Sequence, residues 1–354
     1  MLVIECKGTP YEIGHTHGAA ARKQIYGSIT FYSALFLKNT KKTWPEVQSF
    51  AFEFEQHSRE AWPRYHEEMC GIADGAGVDL LDIVALNVRT EINFGLFSDN
   101  EKEQDDKNFA SDGCTSLAWG TAKSAYLGQN WDWMTAQKPN LIITKIHQEG
   151  RPTIAQVTEA GIIGKIGFNS SGVGTLLNAI RVQGMDPAQM PVHFGLRLAL
   201  ESSSAQEAVQ RLESYGMASS AHILVADEND AVGLEFTKST FARCLPDARG
   251  RVVHTNHFLL PHKGEIDTIW LKDSLTRVKT MMENSGKLGA EPSWGEMSKL
   301  FEDEHNLPTA ICRFEDEVSG SATLFSILMD LKAKKGVVRM GRPTEAEETI
   351  NLEL

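Results

Sequence analysis

The 354-residue sequence has no apolar run approaching the ~18 residues needed to span a bilayer, so no membrane-crossing helix is expected. Cysteine is sparse and odd in number, at five, which argues against a disulfide framework and for a reducing compartment. Basic charge is in deficit: 35 Lys and Arg face 47 Asp and Glu, for a formal net charge of −12. A phosphate-backbone binder concentrates Lys and Arg, so nucleic acid is not an expected partner. The opening Met1–Lys7 carries Glu5 and Lys7, which leaves no secretory apolar core, and the closing Asn351–Leu354 is not a Ser-Lys-Leu-type address. The expected location is therefore the cytoplasm. Gly-x-x-x-x-Gly-Lys-Ser/Thr and Gly-x-Gly-x-x-Gly do not occur, so no nucleotide cofactor is expected; Gly-x-Ser-x-Gly and His-Glu-x-x-His are missing too.

What is present is a chain of ordinary globular composition, 42% apolar, whose texture changes once along its length. After a short strand at Leu2–Cys6, Thr9-Pro10-Tyr11-Glu12 is a capping box with Pro at the first helical position, which predicts a helix running on through Ala19 to Phe36. Further helices are expected at Trp44–Ala61, Pro63–Ala73 and Leu80–Glu91, with Gly75-Ala76-Gly77 as a break. Between 98 and 112 the apolar periodicity stops; six acids, two bases and one aromatic predict an exposed acidic linker. Short β-rich runs extend from Cys114–Trp119 to Val173–Ala179, then a helical pair at Val192–Glu201 and Ala205–Ser214. Strands return at His222–Ala226, Ala231–Phe236 and Val252–His257. Helices around Ile266–Met282 and Ser293–Phe301 precede a hairpin of Thr323–Leu331 with Val337–Met340. This order fits an α+β fold layered αββα with a largely helical N-terminal segment.

His15-Thr16-His17 has the His-x-His spacing of some metal hydrolases, but inside a helix residues i and i+2 point apart, so packing is the better reading. His254 and His257 flank Asn256 with no carboxylate or cysteine cluster nearby in sequence. Gly113-Cys114-Thr115 stands where the acidic linker meets the first strand. A glycine before a nucleophile lets its side chain approach the preceding carbonyl without Cβ crowding. Cys114 could cleave its own backbone there and expose an α-amine with a reference pKa of about 7.7–8.0, placing nucleophile and base on one residue. Taken alone, Cys114 reads better as a small buried hydrophobe, the commonest fate of a free cysteine.

Blocks along the whole chain resemble one family, the fungal acyl-CoA:isopenicillin N (6-aminopenicillanate) acyltransferases, which are self-processing cysteine N-terminal-nucleophile (Ntn) hydrolases. The resemblance runs from Gly8-Thr9-Pro10 to Gly341-Arg342-Pro343-Thr344. It is densest at Leu86–Glu91, Asp112–Thr115, Gly128–Asp132, Thr158–Lys165 and Val253–His257. It implies a four-layer αββα Ntn-hydrolase sandwich, with residues 1–113 and 114–354 as two co-folded segments of one domain, separated by cleavage at Gly113–Cys114. By the same resemblance Cys114 is the nucleophile, Asp132 the acid that orients the new α-ammonium, and Asn256 an oxyanion-hole donor. Trp131 and Trp133 are then walls for an apolar acyl group. Thr237 replaces a family serine and Ser319 matches another; Gly320 stands where penicillin-producing members carry an arginine, which argues against isopenicillin N as the substrate. Arg277 matches a family Asp-Ser-x-x-Arg run. The expected reaction moves an acyl group, from an amide or an acyl-CoA thioester, to an amine such as a 6-aminopenicillanate-like acceptor. Its partners are therefore small molecules; no cofactor and no metal are expected, and acyl-CoA enters only as substrate. The alternatives are an amidohydrolase using water as acceptor, an unprocessed binding homologue, and, more remotely, a metal amidohydrolase built on His15 and His17.

Overall fold

Thr9 opens the first helix by the mechanism its sequence predicts: its hydroxyl accepts from the Glu12 N–H, the Glu12 carboxylate accepts from the Thr9 N–H at 2.8 Å, and Pro10 occupies the first turn. The computed structural model describes residues 1–95, 113–267, 269, 271–315 and 320–354, so the expected linker at 98–112 lies outside the described residues. The expected single helix to Phe36 is two, α1 (Pro10–Ala20) and α2 (Arg22–Thr40), because Ala21 leaves helical geometry at φ −104°, ψ 20°. The helices α3 (Trp44–Ala61), α4 (Pro63–Ala76), α5 (Leu80–Asn87) and α6 (Arg89–Gly95) complete the helical segment. α1 crosses α4 backbone to backbone: a Cβ on Gly14 would lie 2.0 Å from the Glu68 carbonyl oxygen.

The strand β1 (Leu2–Lys7) ties this segment into the first of two sheets. It pairs in parallel with β4 (Leu141–His147), at the edge of a sheet that continues with β5 (Ile154–Glu159), β6 (Ile166–Asn169) and β7 (Gly174–Ala179). That sheet ends with β8 (Ala221–Ala226), β9 (Ala231–Phe236) and β10 (Phe241–Cys244). A second sheet has the order β11 (Arg251–His254), β2 (Cys114–Gly120), β3 (Ala125–Met134), β12 (Ser321–Asp330), β13 (Lys335–Met340) and β14 (Glu348–Glu353). The sheets face each other: Gln129 on β3 donates to the Leu177 carbonyl on β7 at 2.7 Å, and Ser116 on β2 donates to Asn178 at 2.7 Å. The helices α7 (Val192–Leu200) and α8 (Ala205–Tyr215) cover the first sheet; α9 (Asp273–Gly286) and α10 (Trp294–Leu300) cover the second. The layers are therefore αββα, as the pattern predicts.

Four further features differ from the sequence expectation, the first being that the helix expected over Leu80–Glu91 breaks at Val88 into α5 and α6. The edge strands β10 and β14 are missing from the expectation: β10 carries no apolar alternation, and β14 alternates only over Ile350 and Leu352 at the chain end. The strand expected over Val252–His257 stops at His254, so Asn256 sits in a turn. The helix expected from Ile266 begins at Asp273, since Asp267 turns back to accept from the Phe258 N–H at 2.6 Å. Among the described residues, no helix is long and apolar enough to cross a membrane.

Candidate active site

Antiparallel pairing of β2 with β3 sets Cys114 directly opposite Trp131. Just before the strand, the Gly113 carbonyl accepts from the Asp132 N–H at 3.0 Å, so the Gly113–Cys114 peptide is held in the ladder at its first rung. Gly113 lets the Arg313 guanidinium approach closely: a Cβ there would lie 2.8 Å from Nη2, and the guanidinium would have to shift. The Cys114 N–H donates to Asn256 Oδ1 at 2.8 Å, and the Cys114 carbonyl accepts from Arg277 Nη1 at 2.7 Å and from Asn178 Nδ2 at 3.2 Å. Both backbone groups of the candidate nucleophile are thus fixed by side chains drawn from remote parts of the chain.

The first turn of α9 supplies much of that fixing. Arg277 also donates from Nη2 to Asn256 Oδ1 at 2.9 Å, and its Nε donates to Asp273 at 2.7 Å, four residues back on the same face. Ser274 accepts from the Asn256 N–H at 2.7 Å, which pins the turn after β11. Asn256 Nδ2 donates to the Ala179 carbonyl at 3.1 Å. In the intact chain the Asn256 side chain therefore presents its oxygen, rather than its NH2, to Cys114.

Asp132 comes next after Trp131 on β3 and points to the opposite face. Thr323 donates to its Oδ1 at 2.6 Å, and Arg313 Nε lies 3.4 Å from Oδ2. A bulge at Leu324 shifts the β3–β12 register here, so Thr323 opposes Asp132 while Phe325 opposes Trp131. Burial pushes the Asp132 carboxyl up to about 7, against the pull of Arg313, Arg277 and the Thr323 hydrogen bond.

Trp131 and Trp133 lie on the inner face, fully buried. Trp131 is covered by the Lys165 ammonium at 3.8 Å from the ring centre and packs on Phe325; Trp133 packs edge-on to Phe31. Thr237 is elsewhere, at the end of β9, where its hydroxyl accepts from the N–H groups of Ser239 and Thr240 and donates to Glu265 at 3.2 Å. Ser319 lies outside the described residues. Gly320, at the arginine position of the penicillin producers, has φ +58°, and its carbonyl accepts from the Thr135 N–H at 3.0 Å. His15 and His17 do not converge: His17 is buried with Nε2 accepting from the Gly161 N–H at 3.1 Å, and burial lowers it to about 4.

Sequence reasoning misses Arg313 and undervalues Arg277. Arg313 is signalled only by a lone charge in the apolar run Ala310-Ile311-Cys312-Arg313-Phe314. It provides a guanidinium beside Asp132, with Nε 3.4 Å from Oδ2. His254 also differs from its sequence reading, since the fold brings Glu235 and Cys244 to it from β9 and β10.

The family model described as acyl-coenzyme A:6-aminopenicillanic acid acyl-transferase matches residues 119–345. A curated relative from Emericella nidulans, acyl-coenzyme A:6-aminopenicillanic-acid-acyltransferase 40 kDa form, is 44% identical over 353 residues, covering 99% of this chain and 95% of the relative. The chain belongs to this family. It is an enzyme of the acyltransferase class. Among solved structures, a penicillin V acylase from Agrobacterium tumefaciens matches with TM-score 0.49 at 12% identity, over 68% of this chain and 86% of that one. A Caenorhabditis elegans ortholog of N-acylethanolamine-hydrolyzing acid amidase matches with TM-score 0.47 at 18% identity, over 62% and 93%. The family model begins after Cys114, so the junction is reached through the full-length relative.

Proposed function

We propose that this enzyme cleaves itself at Gly113–Cys114 and then transfers acyl groups through a thioester on Cys114. The observation that carries the reading is the clamp on both sides of that peptide bond, Asp132 N–H on the Gly113 carbonyl and Asn256 Oδ1 on the Cys114 N–H, with Arg277 and Asn178 holding the carbonyl of the following peptide. Attack of the Cys114 sulfur on the Gly113 carbonyl carbon puts negative charge on the oxygen that Asp132 N–H already holds. Such a preplaced donor is typically worth about 3–4 kcal/mol of barrier. The C–N bond then breaks, the Cys114 nitrogen takes the thiol proton, and water hydrolyses the thioester to free the Gly113 carboxylate.

The new α-amine is left 2.8 Å from Asn256 Oδ1, which accepts one of its protons and orients it. This acceptor role is what the intact geometry favours for Asn256; service as an oxyanion donor requires Nδ2 to leave the Ala179 carbonyl. Asp132, raised to about 7 by burial, titrates beside the amine's reference range and supplies the balancing charge once ionised. The acyl donor is proposed to be an amide or an acyl-CoA thioester and the acceptor an amine, with 6-aminopenicillanate the compound named for the relatives. Gly320 leaves that particular acceptor without the arginine found in penicillin producers. The segments 1–113 and 114–354 are proposed to stay together after cleavage through β1 on β4. A cytoplasmic setting, which is reducing, would keep the Cys114 thiol free to attack.

Intact mass of the purified chain and of Cys114→Ala tests the reading. Two masses summing to the chain plus one water are expected for the wild type, and a single uncleaved mass without acyl transfer for the variant. Cleavage or acyl transfer in Cys114→Ala overturns it. Turnover of one acyl donor with and without an amine separates transfer from hydrolysis.

A further inference from the structure

We propose that Glu235, Cys244 and His254 form a divalent-metal site of the zinc class that joins the two sheets. The inference is independent of the acyl-transfer reading. Glu235 lies on β9 and Cys244 on the edge strand β10 of one sheet; His254 ends β11 in the other. One ligand atom from each residue lies within 4.8 Å of the other two. Tetrahedral zinc with bonds of about 2.0–2.3 Å needs ligand separations of about 3.3–3.8 Å, so the widest separation closes by up to ~1 Å while the His254 Nε2–Glu235 Oε1 pair, at 2.8 Å, opens by about 0.5 Å, both within reach of side-chain torsions. Thiolate, imidazole and carboxylate together suit zinc over magnesium or calcium.

The hydrogen bonds favour a cation. His254 Nδ1 lies 2.8 Å from the Thr255 carbonyl oxygen, which only accepts, so Nδ1 carries a proton. His254 Nε2 nevertheless lies 2.8 Å from Glu235 Oε1. A lone pair facing a carboxylate at that distance is repulsive, so a positive centre belongs between them: a second ring proton or a metal ion. An imidazole whose Nδ1–H is fixed on a backbone carbonyl leaves Nε2 to bind a metal, the usual posture of a metal-ligating histidine. Entry of M²⁺ with departure of that ring proton and the Cys244 thiol proton leaves the buried cluster neutral, as it was with the protons in place.

A second histidine adds an independent sign. His222 is fully buried and stacks on His254 with ring centres 3.5 Å apart. Its Nδ1 donates to Asn178 Oδ1 at 3.0 Å, so Nε2 bears a lone pair, and that nitrogen has no hydrogen-bond partner among the described residues. Nε2 points across Gly233 toward Cys244: a Cβ on Gly233 would lie 2.5 Å from it and 3.1 Å from Cys244 Cβ. The missing side chain keeps that space open beside the cluster. Glu235 is held in place by the N–H groups of Leu259 and Leu260 at 2.5 and 3.1 Å, and His262 Nε2 lies 3.3 Å from its second oxygen.

The full-length chain, dialysed against Co²⁺ as a probe and then against Zn²⁺, decides the matter. One ion per chain is expected, with a thiolate-to-cobalt absorption band, release of two protons per ion, and displacement of Co²⁺ by Zn²⁺. Cys244→Ser should lose the band and bind at least ~100-fold more weakly, and Glu235→Gln at least ~10-fold more weakly. Cys244→Ala, checked for folding by circular dichroism, guards against a merely unfolded first variant, and Cys114→Ala should bind like the wild type. Failure of the wild type to retain an ion overturns the proposal and leaves a proton-bridged Glu235–His254 pair. Unchanged binding in both Cys244 variants, or loss of the band in Cys114→Ala, overturns it equally.

Discussion

Asp132 and Glu159 are both fully buried carboxylates beside arginine, yet they sit at opposite ends of the carboxylate range. Burial raises both. At Glu159 that penalty is overridden by Arg89 at 3.0 Å, by Lys165 and by the Tyr32 hydroxyl, with Gln137 donating at 3.1 Å, so its carboxyl is held far below the usual range. At Asp132 the nearest cation atom is Arg313 Nε at 3.4 Å, and Arg313 shares its guanidinium with Asp273. Burial wins there, and the group rests at about 7. What separates a structural acid from a titrating one is therefore the number of direct donors rather than depth. The structural acid lies behind Trp131 and Trp133; the titrating one adjoins the peptide bond that the enzyme is proposed to cut.

Exchanging each acid for its neutral isostere should expose that difference. Asp132→Asn is expected to lower acyl-transfer turnover by ~10³–10⁴-fold, as when the orienting acid of a triad is neutralised, with little loss of melting temperature at neutral pH. Glu159→Gln should do the reverse, costing about 3–5 kcal/mol of stability in denaturant titration because two buried cations lose their counter-charge, while the fraction that folds still cleaves. A larger stability loss in the Asp132 variant than in the Glu159 variant would break the comparison.

The pH dependence has a definite sign. An acid raised from 3.8 to about 7 on folding contributes stability that is complete below its unfolded pKa and is lost as pH rises through the folded value. Between pH 4 and 7 the wild type should thus lose stability relative to Asp132→Asn, by at most about 4 kcal/mol at full ionisation. Parallel stability curves for the two proteins across that window would show that Asp132 does not titrate there. The smallest expected effect is in Arg313→Lys, which weakens the pull on Asp132. The rising limb of the pH–rate profile should move to higher pH by less than one unit, roughly 1.4 kcal/mol; a move to lower pH would assign Asp132's balance to another group.

Much of this is legible in the chain itself. The capping box at Thr9 and the short β-rich runs of β2 and β3 are local signals, readable because a helix cap and strand propensity act over a few residues. Gly113–Cys114 is legible as a junction between two textures and as a family block. The parts that escape are non-local. Arg313 reaches Asp132 across 181 residues, and Arg277 reaches Cys114 across 163, so nothing in their own neighbourhoods marks them as partners of either. The same holds for Glu235, Cys244 and His254, whose meeting depends on the contact between β9 and β11 in different sheets.

The sequence by itself determined the family, the layer order and the residue at which the chain is proposed to open. Only the tertiary structure decided which buried acid is neutralised by its neighbours and which way the Asn256 amide faces. It also decided that His254 has company. The physical reason is common to all three: ionisation and hydrogen-bond polarity inside a protein depend on donors within a few ångströms in space, and the fold brings those donors from anywhere along the chain.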